Sequence, residues 1–265
     1  MPTIAENQQM WSEQQYDWSH KGDGWSRVWG SPVAQWYGSL YPRVRAFLPA
    51  HVALEIAPGY GRWTQFLKES CERLIGVDMQ EHCVMHCRER FQDSPSMSFF
   101  ANDGSSLAMI EDESIDFVFS FDSLVHVEAD CLEVYLRQLA HKLTSNGVGF
   151  IHHSNLGEFG KTFRVFGAIP NLPRQALIKY HLIDYDHWRA RSVSAAVFEE
   201  LCQNAGLVCI GQETVNWGST RTIDCLSLFT RRGSVWERPN RVMKNPFFMQ
   251  EGGRIRRLAE LYTPR

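Results

Sequence analysis

Leu-Glu-Ile-Ala-Pro-Gly-Tyr-Gly-Arg-Trp-Thr, residues 54–64, is the stretch on which the reading of this chain turns. An apolar run over 52–57 stops at Pro58-Gly59, a second glycine follows at Gly61, and residues 62–71 carry a helical pattern. A buried strand that breaks into a glycine turn and then enters a helix is the opening unit of a parallel sheet. Such sheets place their ligands at the carboxyl ends of the strands. Glycine at 59 and 61 lets the backbone take conformations that other residues resist and come close to a bound group.

Outward from that turn, strand and helix alternate. Short apolar runs over 74–77, 97–101, 115–121 and 147–153 read as strands, and 81–91 and 131–143 read as helices. This order predicts a parallel sheet covered on both faces. A helix over 194–205 closes on Gly206, and strand-like runs over 207–215 and 222–230 flank a turn at 216–221, which suits an antiparallel hairpin. The expected fold is a Rossmann-like, seven-stranded, mostly parallel sheet with a terminal hairpin, an N-terminal helical cap and an insertion before the last helix. The cap takes residues 1–48, the sheet domain 49–232 and a basic tail 233–265. Residues 156–192 lack a clear period and are too long for a simple connection, so they read as a substrate-side insertion.

The chain has 265 residues, 44% hydrophobic and 22% charged, an ordinary globular balance. A formal net charge of -3 argues against a nucleic-acid partner. The charge is uneven: residues 231–265 hold nine Lys/Arg against three Asp/Glu. That end reads as a solvated basic helix or as a contact for an acidic partner, a phosphorylated substrate, a membrane surface or a second copy. The seven cysteines are odd in number and scattered, as in a reduced intracellular protein. Neither a signal peptide nor an apolar run long enough for a membrane span is present, which predicts a cytoplasmic protein.

A nicotinamide-linked dehydrogenase also uses strand, glycine loop and helix. Its G-x-G-x-x-G fingerprint lacks the third glycine here, because Gly59-Tyr60-Gly61 is followed by Arg62-Trp63-Thr64. Glu55, inside the strand, would repel a pyrophosphate and would favour an ammonium or a sulfonium. Asp78 ends the second strand, where a carboxylate can accept from both hydroxyls of a ribose. Asn102-Asp103-Gly104 follows the third strand, where Asp103 can accept from an adenine amino group. Any one such acid could be a helix cap. Three after three successive strands, with the glycine loop, point to a nucleoside ligand.

These positions resemble the S-adenosylmethionine-binding motifs of class I methyltransferases, in order over residues 50–155. More narrowly, the strings at 55–64, 119–126 (Phe-Ser-Phe-Asp-Ser-Leu-Val-His) and 149–155 (Gly-Phe-Ile-His-His-Ser-Asn) resemble the methyltransferase domain of bacterial O-antigen chain-terminating enzymes and related sugar O-methyltransferases. The resemblance implies S-adenosylmethionine as cofactor, held by Glu55, Ala57, Pro58, Gly59, Gly61, Thr64, Asp78, Met79, Asn102, Asp103, Gly104, Phe121 and Asp122. It implies methyl transfer to a sugar hydroxyl or glycan phosphate of a saccharide or glycosylated small molecule. An amine acceptor and a non-catalytic, cofactor-binding regulator are the alternatives.

Methyl transfer to a hydroxyl is helped by a base. His126, His152 and His153 stand at strand ends and are the candidates, with neighbouring residues 152 and 153 facing opposite ways. Tyr16, Trp36, Tyr185, Trp188, Arg189 and Arg191 combine aromatic surface with guanidinium groups, a receptor suited to a sugar bearing an anionic group. His82, Cys83, His86 and Cys87 have helical i, i+4 spacing that can bind zinc. No second half with ligand spacing follows, so no metal site is expected.

Overall fold

The computed structural model describes residues 3–262. In chain order the elements are α1 (Ile4–Met10), α2 (Pro32–Gln35), α3 (Tyr41–Val44), β1 (Ala50–Ile56), α4 (Thr64–Leu67), β2 (Cys71–Asp78), α5 (Glu81–Arg90), β3 (Met97–Ala101), β4 (Ile115–Ser120), α6 (Ala129–Lys142), β5 (Leu143–Ser154), α7 (Gly160–Ala168), α8 (Asn171–Lys179), α9 (Ala195–Asn204), β6 (Leu207–Val215), β7 (Asp224–Arg231), β8 (Val242–Asn245) and α10 (Phe248–Tyr262). One sheet runs β3-β2-β1-β4-β5-β7-β6-β8. The pairs β1/β2, β1/β4, β2/β3 and β4/β5 are parallel, and β7 is antiparallel to both β5 and β6.

The sheet is packed on both faces because its central strands are apolar throughout. On one side α6 presents Leu132, Tyr135, Leu136 and Leu139, three or four residues apart, against Leu54, Ile56 and Val118. Each such burial contributes about 1.5–3 kcal/mol. Phe198 and Cys202 of α9 extend that layer. On the other side Phe117, Phe119 and Phe150 meet Trp29, Trp36, Leu40 and Phe66. The N-terminal third thus forms part of this second layer and also reaches the carboxyl ends of the strands. A capping box starts α1, with Thr3 and Glu6 each satisfying the other's backbone N–H.

The mostly parallel α/β sheet stands as expected, with corrections. It has eight strands rather than seven, because Val242–Asn245 adds parallel to the edge of β6. No residue of β8 is fully buried, so it carries no apolar alternation to read. The helix expected over 62–71 is α-helical over Thr64–Leu67 and tightens to a 3-10 turn over Lys68–Ser70, since Cys71 is already paired with Ala50 in the sheet. The insertion is not irregular but contains two helices, α7 and α8, each nine residues long. Nor does it precede the last helix, which is α10. That helix is not wholly solvated: Phe248 is fully buried against Trp29 and Trp217.

Candidate cofactor pocket and active site

The glycine turn is built by backbone conformation. Ala57, Gly59 and Gly61 all have positive φ, at 58°, 56° and 81°. At Gly61 a Cβ would stand 2.6 Å from the Phe91 ring, so only glycine fits. Ala57 is held in the left-handed region by its N–H to Val77 (2.7 Å) and by the Ser123 hydroxyl on its carbonyl (3.1 Å). Asp122, just after β4, is another strained non-glycine residue at the pocket, with φ 66°. Its N–H donates to His152 Nδ1 at 3.1 Å.

A pocket opens between these turns. Ala57, Pro58, Gly59, Asp78, Met79, Gly104, Phe121 and Asp122 line it, and Trp11, Trp18 and Trp25 of the N-terminal segment cover it. Trp18 stacks on Tyr60 at 4.6 Å, which pins the cover to the glycine turn. The buried Asp78 carboxylate accepts from Gly59 N–H and Gln80 N–H, both at 2.9 Å. Burial pushes its carboxyl up to about 6, against those backbone hydrogen bonds. One oxygen therefore fixes the glycine turn and the other the start of α5, and each retains accepting capacity.

Arg62 was not among the expected site residues. It is 5% exposed, lines the pocket and donates through Nη2 to Asp122 at 2.9 Å. Its guanidinium lies 4.5 Å from the Trp63 ring and 5.0 Å from the Trp25 ring. Nη1 is buried with no protein partner. A cation directly after the glycine turn, in a chain with an acid just after β4, was the available signal.

Several expected residues lie elsewhere. Glu55 does not line the pocket; it is buried under Thr64, whose hydroxyl donates to it at 2.5 Å. Burial raises its carboxyl to about 8, so near neutrality it is largely protonated rather than a fixed anion. Gly61 and Thr64 support the turn from behind. Asn102 accepts from Gly104 N–H and donates to Ser106 O and Tyr135 Oη, shaping the third loop. Asp103 is exposed, and its Oδ1 accepts from Ser105 and Ser106. It therefore caps a turn next to Gly104 and is not among the residues that line the pocket.

The histidines separate sharply. His153 is fully buried on the far side of β5, stacked on Phe198 at 4.1 Å and hydrogen-bonded to Ser227 Oγ at 2.8 Å. It cannot reach the pocket. His152 is also fully buried, and because Nδ1 accepts from Asp122, the ring carries its hydrogen on Nε2, toward Asp224 at 3.1 Å. With both nitrogens engaged it has no lone pair for a substrate proton. His126 donates from Nδ1 to Trp188 O at 3.0 Å and lies 5.3 Å from both the Trp11 and Trp188 rings. Burial and the nearby Arg189 lower it to about 4, which makes it a poor base at neutral pH.

The expected substrate receptor also divides. Trp36 is a core residue, 1% exposed and stacked on Phe66 at 5.5 Å. Arg189 is buried and makes two 2.8 Å bonds to Asp224, which leaves it no role as an exposed anion receptor. Burial pushes the Asp224 carboxyl up, but Arg189 and then His152 together hold it below the usual carboxylate range. Tyr185 and Arg191 line a separate cleft within the insertion, where Arg191 pairs with Asp186. Trp188 and Tyr16 stay beside the pocket through their contacts with Trp11. Among the described residues no group of three or more His, Cys, Asp or Glu could hold a metal ion.

Residues 53–147 match the family model of a methyltransferase domain. The fold is similar to that of an S-adenosylmethionine-dependent methyltransferase from Clostridium acetobutylicum, at 14% identity over 83% of this chain and 94% of that one, with a TM-score of 0.54. It is similar also to a Methanosarcina mazei S-adenosylmethionine-dependent methyltransferase (13% identity, 72% and 98% covered, TM-score 0.53). A Pyrococcus horikoshii protein aligns at 19% identity over 73% and 88%, with a TM-score of 0.54. No curated protein matches the sequence. A methyltransferase domain over these residues supports an enzyme, and S-adenosylmethionine is its expected cofactor. The buried Arg62 Nη1 and the Asp78 carboxylate, both at the pocket wall, fit a group with an anionic tail and a diol.

Proposed function

We propose that this enzyme methylates a hydroxyl of a saccharide or of a glycosylated small molecule. The cofactor supplies an electrophilic methyl group. Asp78 would hold its ribose hydroxyls, the glycine turn would hold its tail, and Arg62 Nη1 would neutralise the tail carboxylate. The acceptor reading rests on one observation: a buried guanidinium–carboxylate pair, Arg62 and Asp122, lies at the pocket wall against the rings of Trp25 and Trp63. Aromatic faces cover the apolar side of a sugar ring, and a carboxylate orients a hydroxyl by accepting its hydrogen. The covering tryptophans exclude water from the reacting atoms. Asp122 orients the hydroxyl by accepting its hydrogen, and the proton leaves the methylated oxygen, by then strongly acidic, without needing a strong base.

The reading is tested by incubating the enzyme with methyl-labelled S-adenosylmethionine and a panel of sugars, sugar phosphates, amino sugars and simple amines. Labelled O-methyl sugar is the expected product. Label on nitrogen only would move the assignment to the amine class, and cofactor binding without product across the panel would favour a regulator. Arg62→Gln should weaken S-adenosylhomocysteine by one charge-assisted contact, about 1.5–3 kcal/mol. It should leave methylthioadenosine, which lacks the carboxylate, almost unchanged.

A further inference from the structure

The insertion after β5 has a face that the methyltransferase chemistry does not use. Residues 159–183 contain Lys161, Arg164, Arg174 and Lys179 and no Asp or Glu. Within this basic stretch three aliphatic side chains and a tyrosine turn outward while Ile169, Leu177, Ile178 and Ile183 are half-buried: Leu172 is 81% exposed, Leu182 69% and Val165 64%, with Tyr180 at 71%. No residue of α8 is fully buried, and α7 buries only Phe163. The insertion is attached to the body through one aromatic layer, Phe163 and Phe166 with Leu156, Ile223 and Trp217, and Val165, Leu172, Tyr180 and Leu182 lie outside that layer in water. Exposed apolar side chains grouped in this way mark a contact surface.

The charge pattern chooses the occupant. A second copy would bring four cations against four cations, which disfavours self-association through this face. Stacking on nucleic-acid bases calls for exposed aromatic rings, whereas this face is mainly aliphatic. Aliphatic side chains interleaved with Lys and Arg, with a tyrosine at the margin, match the interfacial zone of an anionic bilayer. There the cations meet lipid phosphates and the leucines enter the acyl boundary. Among the described residues no helix is long and apolar enough to cross a membrane, so attachment would be peripheral. We infer that α7, α8 and the segment up to Ile183 form a docking surface for anionic phospholipid membranes. This goes beyond the proposed chemistry and does not depend on it.

The test is vesicle flotation of the full chain with phosphatidylcholine alone and with phosphatidylglycerol added. The expected result is binding to the anionic vesicles only, weakening with salt. Arg164→Gln with Lys179→Gln should lower that binding about 25-fold, at roughly fivefold per surface charge. Leu172→Glu with Leu182→Glu should lower it about tenfold or more. All four side chains are exposed, so the variants should keep the wild-type circular dichroism and cofactor affinity. Absence of wild-type binding would overturn the inference, and so would binding that ignores both double variants. Self-association abolished by the leucine variant, or vesicle-independent binding to an acidic protein surface through the same residues, would overturn it too.

Discussion

Removing the Asp224 carboxylate should damage this protein more than any surface substitution. Asp224 is fully buried and accepts two 2.8 Å bonds from Arg189, itself 5% exposed, and one 3.1 Å bond from His152. Asp224→Ala strands a guanidinium in the interior and costs His152 the partner that fixes its tautomer. Breaking a buried pair on one side costs about 3–5 kcal/mol. At roughly 2–4 °C per kcal/mol for a chain of this size, melting should fall by roughly 6–20 °C. Arg189→Met with Asp224→Leu removes both charges and should recover most of that loss, because neither desolvation penalty remains. The assay is urea unfolding of the wild type, both single variants and the double variant as a thermodynamic cycle. A single-variant loss below about 1 kcal/mol, or a double variant as unstable as the two singles summed, would refute the assignment of Arg189 to the interior.

Two further outcomes follow from the buried acids and bases. The Glu55 carboxyl, raised by burial from 4.5 to about 8, favours the folded state while it is protonated. That stability is fully present below pH 4.5 and is lost as pH rises through about 8, so Glu55→Gln should flatten the decline in melting temperature between these limits; identical profiles would contradict it. For His126, held near 4 and enclosed by two tryptophans, the Gln variant should lose less than about tenfold in turnover. A loss of 10²-fold or more with unchanged cofactor affinity would restore it as the base.

The sheet was legible because buried parallel strands are apolar on both faces and their ends are marked. The run at Ile115–Ser120, the turn at Pro58-Gly59 and Asp78 at the end of β2 all lie where the sequence pattern puts them. Elements whose stability comes from distant partners were not legible. β8 exists because β6 offers an edge, and α7 and α8 form despite Gly167, Pro170 and Pro173, which obscure helical periodicity. The site shows the same division. Asp78 is read from its place at a strand end. The partner that buries Arg189 comes 35 residues later, and no local pattern announces it. Arg62 stood in view as the residue directly after the glycine turn. Its role emerges only when Asp122 is brought 2.9 Å away.

The account depends on Asp78 and the glycine turn forming a nucleoside pocket for S-adenosylmethionine. Isothermal titration of the wild type and of Asp78→Ala with S-adenosylhomocysteine tests this most directly. Micromolar binding by the wild type is predicted, weakened in the variant by about 1.5–3 kcal/mol for each charge-assisted hydrogen bond lost. No binding by the wild type, or equal affinity in the two proteins, would contradict it.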